Sequence, residues 1–104
     1  KSDTAPLPHA FLLKQNYPNP FNPTTKIEYH AASLAHVNID IYNTLGQKVR
    51  TLVDRQQPAG IYQLTWDAKN DLSQTVAAGI YVYRLSIESS KESFVDSKKM
   101  LLIK

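Results

Sequence analysis

The sequence predicts an all-β protein, an antiparallel β-sandwich of about seven strands. Three observations carry that expectation. From Thr25 onward apolar residues recur with a period of two, the spacing at which a strand shows one face to a core. No segment carries the 3.6-residue stripe of an amphipathic helix. The apolar runs are separated by clusters of Gly, Pro, Asn, Asp and Ser, residues that turn a chain.

Residues 1–11 are polar, contain Pro6 and Pro8, and read as a linker, with the sandwich expected over residues 12–104. A linker there, and a first residue that is Lys1, point to a longer protein upstream. Next comes Asn16-Tyr17-Pro18-Asn19-Pro20-Phe21-Asn22-Pro23-Thr24-Thr25. Its prolines fix φ and push each preceding residue toward extended conformations. Asn19 and Asn22 can close Asx turns, and Tyr17 and Phe21 are expected to anchor this stiff lead-in to the core.

Ile27 and Tyr29 then alternate with Lys26 and Glu28, and Val37, Ile39 and Ile41 alternate with Asn38, Asp40 and Tyr42. Between them, Ser33 to His36 is the one place for a short helical turn. Asn43 to Gln47 reads as a turn with Gly46, Lys48 to Val53 as a strand, and Asp54 to Gly60 as a loop. Tyr62, Leu64 and Trp66 share a face, with Trp66 expected among the largest buried groups, and Asp67 to Thr75 is a polar loop. Gly79 opens the strongest strand. Tyr81, Tyr83, Leu85 and Ile87 share one face of it, although Ile80 and Val82 make the opposite face equally apolar. Glu88 to Glu92 reads as a turn, and Phe94 to Ile103 as a last strand with a break near Asp96 and Ser97. The three glycines are placed at strand junctions, where positive φ is useful. No internal repeat is apparent.

Composition narrows the function. A chain of 104 residues allows one domain and buries roughly 60–70% of its unfolded surface. With no cysteine, it has no disulfide scaffold, thiolate zinc site or cysteine nucleophile. The formal charge is +3. Basic residues are scattered until the last fourteen positions, where Lys91, Lys98, Lys99 and Lys104 face Glu92 and Asp96, so no nucleic-acid partner is expected. No run approaches the roughly 20 apolar residues of a membrane span, and stable membrane insertion is not expected.

Catalysis is not expected. His9, His30 and His36 show no ligand spacing, no Gly-x-Ser-x-Gly elbow exists, and isolated glycines cannot cradle a phosphate. No cofactor or metal is expected; Asp67, Asn70 and Asp71 could offer oxygens to calcium but read better as a capped turn. Tyr42, Tyr81 and Tyr83 could form a sugar-stacking platform if exposed. The closing strand Lys98-Lys99-Met100-Leu101-Leu102-Ile103-Lys104 has lysines at both ends. They could guard an edge against pairing, or flank an edge that a receptor reads by strand addition.

Taken in order, several motifs resemble one family. Asn16 to Thr25 with Ile27-Glu28-Tyr29, then Val37-x-Ile39-x-Ile41-Tyr42-Asn43-x-Leu45-Gly46-Gln47-x-Val49, Ala59-Gly60-x-Tyr62, Trp66-Asp67, Ala78-Gly79-Ile80-Tyr81-x-Tyr83 and the closing Lys98 to Lys104 are similar to the type A C-terminal sorting domain of the type IX (Por) secretion system of Bacteroidetes. The middle also resembles the immunoglobulin-like domain of the flagellar hook-capping protein. It departs where Ala68 and Ser73 stand in place of the usual glycines.

The resemblance implies an immunoglobulin-like sandwich that is not an enzyme. It would follow an upstream cargo domain, pass through the periplasm, and be recognised by the outer-membrane secretion translocon. A sortase-like surface protease would cut in the linker, leaving the cargo at the cell surface or in the medium. Recognition is expected at Gly79, Ile80 and Tyr81 and at Lys98, Lys99, Met100, Leu101, Leu102, Ile103 and Lys104, with Tyr17, Pro18, Asn19, Pro20, Phe21, Asn22 and Pro23 as opening motif. The alternatives are a structural immunoglobulin-like spacer or assembly module and, third, a carbohydrate-binding module.

Overall fold

A computed structural model describes residues 7–104. Of the expected linker, residues 1–6 lie outside the described residues. Seven strands follow: β1 (Leu12–Leu13), β2 (Thr25–Ala31), β3 (Ala35–Tyr42), β4 (Lys48–Gln57), β5 (Gly60–Trp66), β6 (Gly79–Ser89) and β7 (Ser93–Leu102). They form a three-stranded sheet in the order β1-β2-β5 and a four-stranded sheet in the order β4-β3-β6-β7, every pair antiparallel. No helix among the described residues is long and apolar enough to cross a membrane.

Alternation decides which faces meet. Ile27 and Tyr29 from one sheet pack against Val37, Ile39, Ile41, Tyr83, Leu85 and Ile87 from the other, all fully buried. β6 resolves its two apolar faces: Tyr81 and Tyr83 turn inward, while Ile80 remains half exposed. Tyr81 and Tyr83 are therefore not available to form a stacking row with Tyr42. Trp66 is fully buried, as its strand register requires, and its indole N–H donates to the Lys69 carbonyl at 2.9 Å. Phe11 is also buried, against Phe94, so core packing begins one residue before the expected start of the domain.

Several local expectations need correction. Asp54–Gln57 continue β4 and are not a loop. β4 is an edge strand, so one face and one flank stay in water and tolerate Asp54, Arg55 and Gln56. Gln57 returns to the core and accepts a hydrogen bond from the buried Tyr29 hydroxyl. The register slips at Leu52 and Val49, which bulge β4. Ser33 and Leu34 form a bend, not a helical turn. β7 runs unbroken through Asp96 and Ser97, and the β6–β7 turn tightens to Ser89–Glu92, where the Ser89 amide donates to the Glu92 carbonyl. Gly46 and Gly79 have positive φ, +81° and +146°, but Gly60 does not.

Register also sorts the connections. Thr25 lies opposite Trp66, Tyr42 opposite Lys48 and Val82, and Gly79 opposite Leu102. The opening motif, the 43–47 turn, the 67–78 loop and the end of β7 are therefore all gathered at one end of the sandwich.

Candidate functional site

At that end the two stretches expected to carry recognition are direct neighbours. Gly79, Ile80 and Tyr81 pair with Leu102, Leu101 and Met100, and Val82 and Tyr83 pair with Lys99 and Lys98. Their side chains divide between two faces. Tyr81, Met100 and Leu102 are buried and contribute through packing. Ile80, Lys99 and Leu101 point outward, with Ile103 and Lys104 following in the exposed chain end. A shallow groove of about 590 Å³ on this outer face is floored by Ile80, Val82 and Tyr42 and edged by Arg84, Ser97 and Lys99. Lys98 is half-buried, with its ammonium 4.0 Å from Asp96.

β7 is the last strand of its sheet, yet its edge is not open at Lys99–Ile103. The Leu101 amide donates to Asn19 Oδ1 and its carbonyl accepts from the Phe21 amide, each at 3.0 Å. The Ile103 amide donates to the Phe21 carbonyl at 3.0 Å, and Gln15 Nε2 donates to the Lys99 carbonyl at 2.7 Å. The opening motif thus clasps the terminal strand, and Phe21 bridges Leu102 in parallel register. Strand addition at Lys99–Ile103, the physical basis expected for reading this strand, is closed while the clasp is in place; the outer-face side chains remain accessible.

The clasp is held from behind. Phe21 is buried against Trp66 with ring centroids 5.8 Å apart, and Trp66 meets Tyr81 edge-on at 5.4 Å. These three rings tie the opening motif, β5 and β6 together. Asn16 is buried and donates to Thr25 Oγ1 at 2.9 Å and to the Pro18 carbonyl at 3.2 Å, and Thr25 Oγ1 donates to the same carbonyl at 2.9 Å. The peptide bonds before Pro18, Pro20 and Pro23 are cis. Tyr17 is not the anchor expected of it: it is 79% exposed, while its backbone pairs with Lys26. Tyr83 donates to the Lys14 carbonyl at 2.7 Å, and burial pushes its phenol up to about 12.

The 67–75 loop is a network of internal caps. Asp67 faces Arg50 at 3.3 Å and accepts from the Lys69 amide, and Asp71 accepts from the Thr51 amide at 3.1 Å. Asn70 Oδ1 accepts from the Leu72 and Gln74 amides. The oxygens that could serve calcium are engaged within the protein, and no group of three or more candidate ligands gathers among the described residues.

That loop also holds a short repeat that neither alternation nor glycine placement reveals. Asn70-Asp71-Leu72-Ser73-Gln74 and Asn43-Thr44-Leu45-Gly46-Gln47 make the same hydrogen bonds. In each, Asn Oδ1 accepts from the amides two and four residues on, Asn Nδ2 donates to the Gln side chain, and the Asn amide donates to the Gln carbonyl. In each, the fourth residue has positive φ, Gly46 at +81° and Ser73 at +62°. Ala68 is also at +62°. The left-handed geometry persists without the glycine. The usable sequence signal is Asn-x-Leu-x-Gln occurring twice.

The comparisons fit this architecture. The model of the family described as FlgD Ig-like domain matches residues 21–93. No curated protein matches the chain. Among solved structures, dimeric latent PorU from Porphyromonas gingivalis is 20% identical with a TM-score of 0.71, over 99% of this chain and 10% of that one. FlgD from P. aeruginosa is 20% identical with a TM-score of 0.60, over 75% of this chain and 59% of that one. PorZ, described as an essential bacterial surface component of the type-IX secretion system of P. gingivalis, is 21% identical with a TM-score of 0.53, over 86% of this chain and 11% of that one. The chain thus spans about a tenth of PorU and PorZ, and likeness at these identities speaks for the fold. The family match covers well over half of the residues, from the clasp to the start of β7, and the chain belongs to the FlgD Ig-like domain family.

Proposed function

We propose that this immunoglobulin-like domain is a sorting signal that directs an attached cargo through the type IX secretion system. The reading has it act by being bound, without catalysis, in the periplasm and on the way to the cell surface or medium. Its partners would be the outer-membrane translocon and a sortase-like surface protease, with the cargo upstream.

The observation that carries the reading is the joining of three separated motifs at one place. The opening motif, Gly79–Tyr81 and the closing strand are linked by direct pairing and by the clasp bonds of Asn19 and Phe21. Likeness to PorU extends over 99% of the chain and so takes in both clasp and closing strand. The surface offered is Ile80, Lys99, Leu101 and Ile103, an apolar strip with a cationic border, suited to recognition by side chains and not by backbone pairing.

The test is a reporter fused ahead of this domain in a bacterium that has the secretion system. Removing Lys99–Lys104 is expected to leave folded reporter in the periplasm. Normal export of that fusion would overturn the reading. Because the deletion also removes buried Met100 and Leu102, variants confined to exposed side chains separate loss of signal from loss of fold.

A structural spacer or assembly module is the second reading, favoured by the family match itself. It predicts export unchanged by the same variants.

A further inference from the structure

The twin loops point to a second surface. Leu45 and Leu72 sit at the third position of each and are 82% and 76% exposed. Their exposure is built in. The Asn and Gln side chains of each loop bond to one another and to the loop backbone, which fixes the turn and leaves the leucine in water. The loops are neighbours across a recess of about 500 Å³ that is lined from both sides by Asn43, Gln47, Asn70 and Leu72. Two rigid turns of one design, each presenting an apolar side chain at the same end, form an amphipathic surface.

Charge identifies what fits it. Lys26, Lys48, Lys69, Lys99 and Lys104 are exposed at this end, and none has an ion-pair partner among the described residues. The neighbouring carboxylates, Asp67 and Asp71, face Arg50 and backbone amides. What remains is net cationic. Protein interfaces ordinarily carry about one hydrogen bond per 100–200 Å², and these tips, whose Asn and Gln side chains are engaged within the loops, offer few beyond the hydroxyls of Thr44 and Ser73. Paired apolar tips within a lysine border have the chemistry that holds peripheral proteins on anionic lipid.

We propose that this end of the domain rests on an anionic phospholipid surface, with Leu45 and Leu72 entering the headgroup boundary and the surrounding lysines facing lipid phosphates. The contact is peripheral and reversible, since two leucines are far less than an anchor. It does not depend on the sorting role.

The test is sedimentation of the intact domain with vesicles of phosphatidylcholine alone or mixed with phosphatidylglycerol. Binding is expected only to the mixed vesicles and should fall steeply as salt rises toward about 0.5 M. Leu45→Ser with Leu72→Ser is expected to weaken it about fivefold or more, and Lys48→Glu with Lys69→Glu by a similar factor. The thermal transition should be unchanged in both variants, because the replaced side chains lie in water. Absence of binding to mixed vesicles, equal binding to neutral ones, or indifference to the leucine pair would each overturn the proposal, and a protein partner would then be the better occupant.

Discussion

The backbone amide of Leu101 donates to the side-chain oxygen of Asn19, 82 positions earlier in the chain, at 3.0 Å. That bond belongs to a ladder in which Phe21 serves as a substitute strand, so the final strand of the sheet has a neighbour on each side. Asn19→Ala removes the acceptor and leaves an edge amide to water. The expected loss is about 1 kcal/mol, with faster hydrogen exchange at Leu101 than at Met100, whose amide faces β6. Asn19→Asp keeps an acceptor and should restore much of the protection.

Trp66 links the clasp to the core through Phe21 and Tyr81. Trp66→Ala is expected to cost about 3–5 kcal/mol, measured by urea denaturation. The exchange protection of Leu101 and Ile103 should fall with it, because Phe21 loses the ring it packs on.

Ser73 adopts φ of +62° at the position that Gly46 fills in the twin loop. A left-handed conformation costs a side-chain-bearing residue about 1 kcal/mol. Ser73→Gly should therefore stabilise the domain by about 0.5–1 kcal/mol, whereas Gly46→Ala should destabilise it by a similar amount. No atom lies within 4 Å of a Cβ at Gly46, so the second effect is backbone strain without a clash. Paired thermal melts measure both.

Burial raises the phenols of Tyr29 and Tyr83 to about 12. A folded-state value above the unfolded one of about 10 means that the native protein holds these protons longer. Their stabilisation is fully present below about pH 10 and is lost as pH rises to about 12, roughly 2–3 kcal/mol for each phenol. Glu28 acts at the other limit. Hydrogen bonds from His30 and then Lys14 hold its carboxyl below the usual range, so its contribution is present above about pH 4.3 and lost as pH falls through the folded value. Urea midpoints across pH should show both declines, and Tyr29→Phe should reduce the alkaline one.

The strands with a face buried between the sheets are legible from alternation alone. β2, β3 and β6 each place every second residue in the core, and an apolar pattern of period two suits an extended chain with one covered face. Edge strands are harder. Asp54, Arg55 and Gln56 look like loop because nothing covers one flank of β4, and only the pairing with β3 reveals the strand. For the candidate site, both halves can be named from motifs, but not the bonds that join them. A contact such as Asn19 to Leu101 leaves no periodic trace. Tyr17 misleads for a related reason: aromatic character marks an anchor only where the backbone turns it inward, as it does at Phe21. The twin loops are hidden because Ser73 breaks the glycine signature while keeping its geometry.

The most direct test of the sorting account is export of a fused reporter by a variant altered only on the outer face: Lys99→Glu, Leu101→Ser and Ile103→Ser together. The control is Ile61→Ser with Val95→Ser, two exposed positions away from the clasp. The account predicts that the first fusion accumulates in the periplasm with its domain folded, while the control reaches the medium at the wild-type level. Wild-type export of the triple variant would contradict it and leave the domain a structural module.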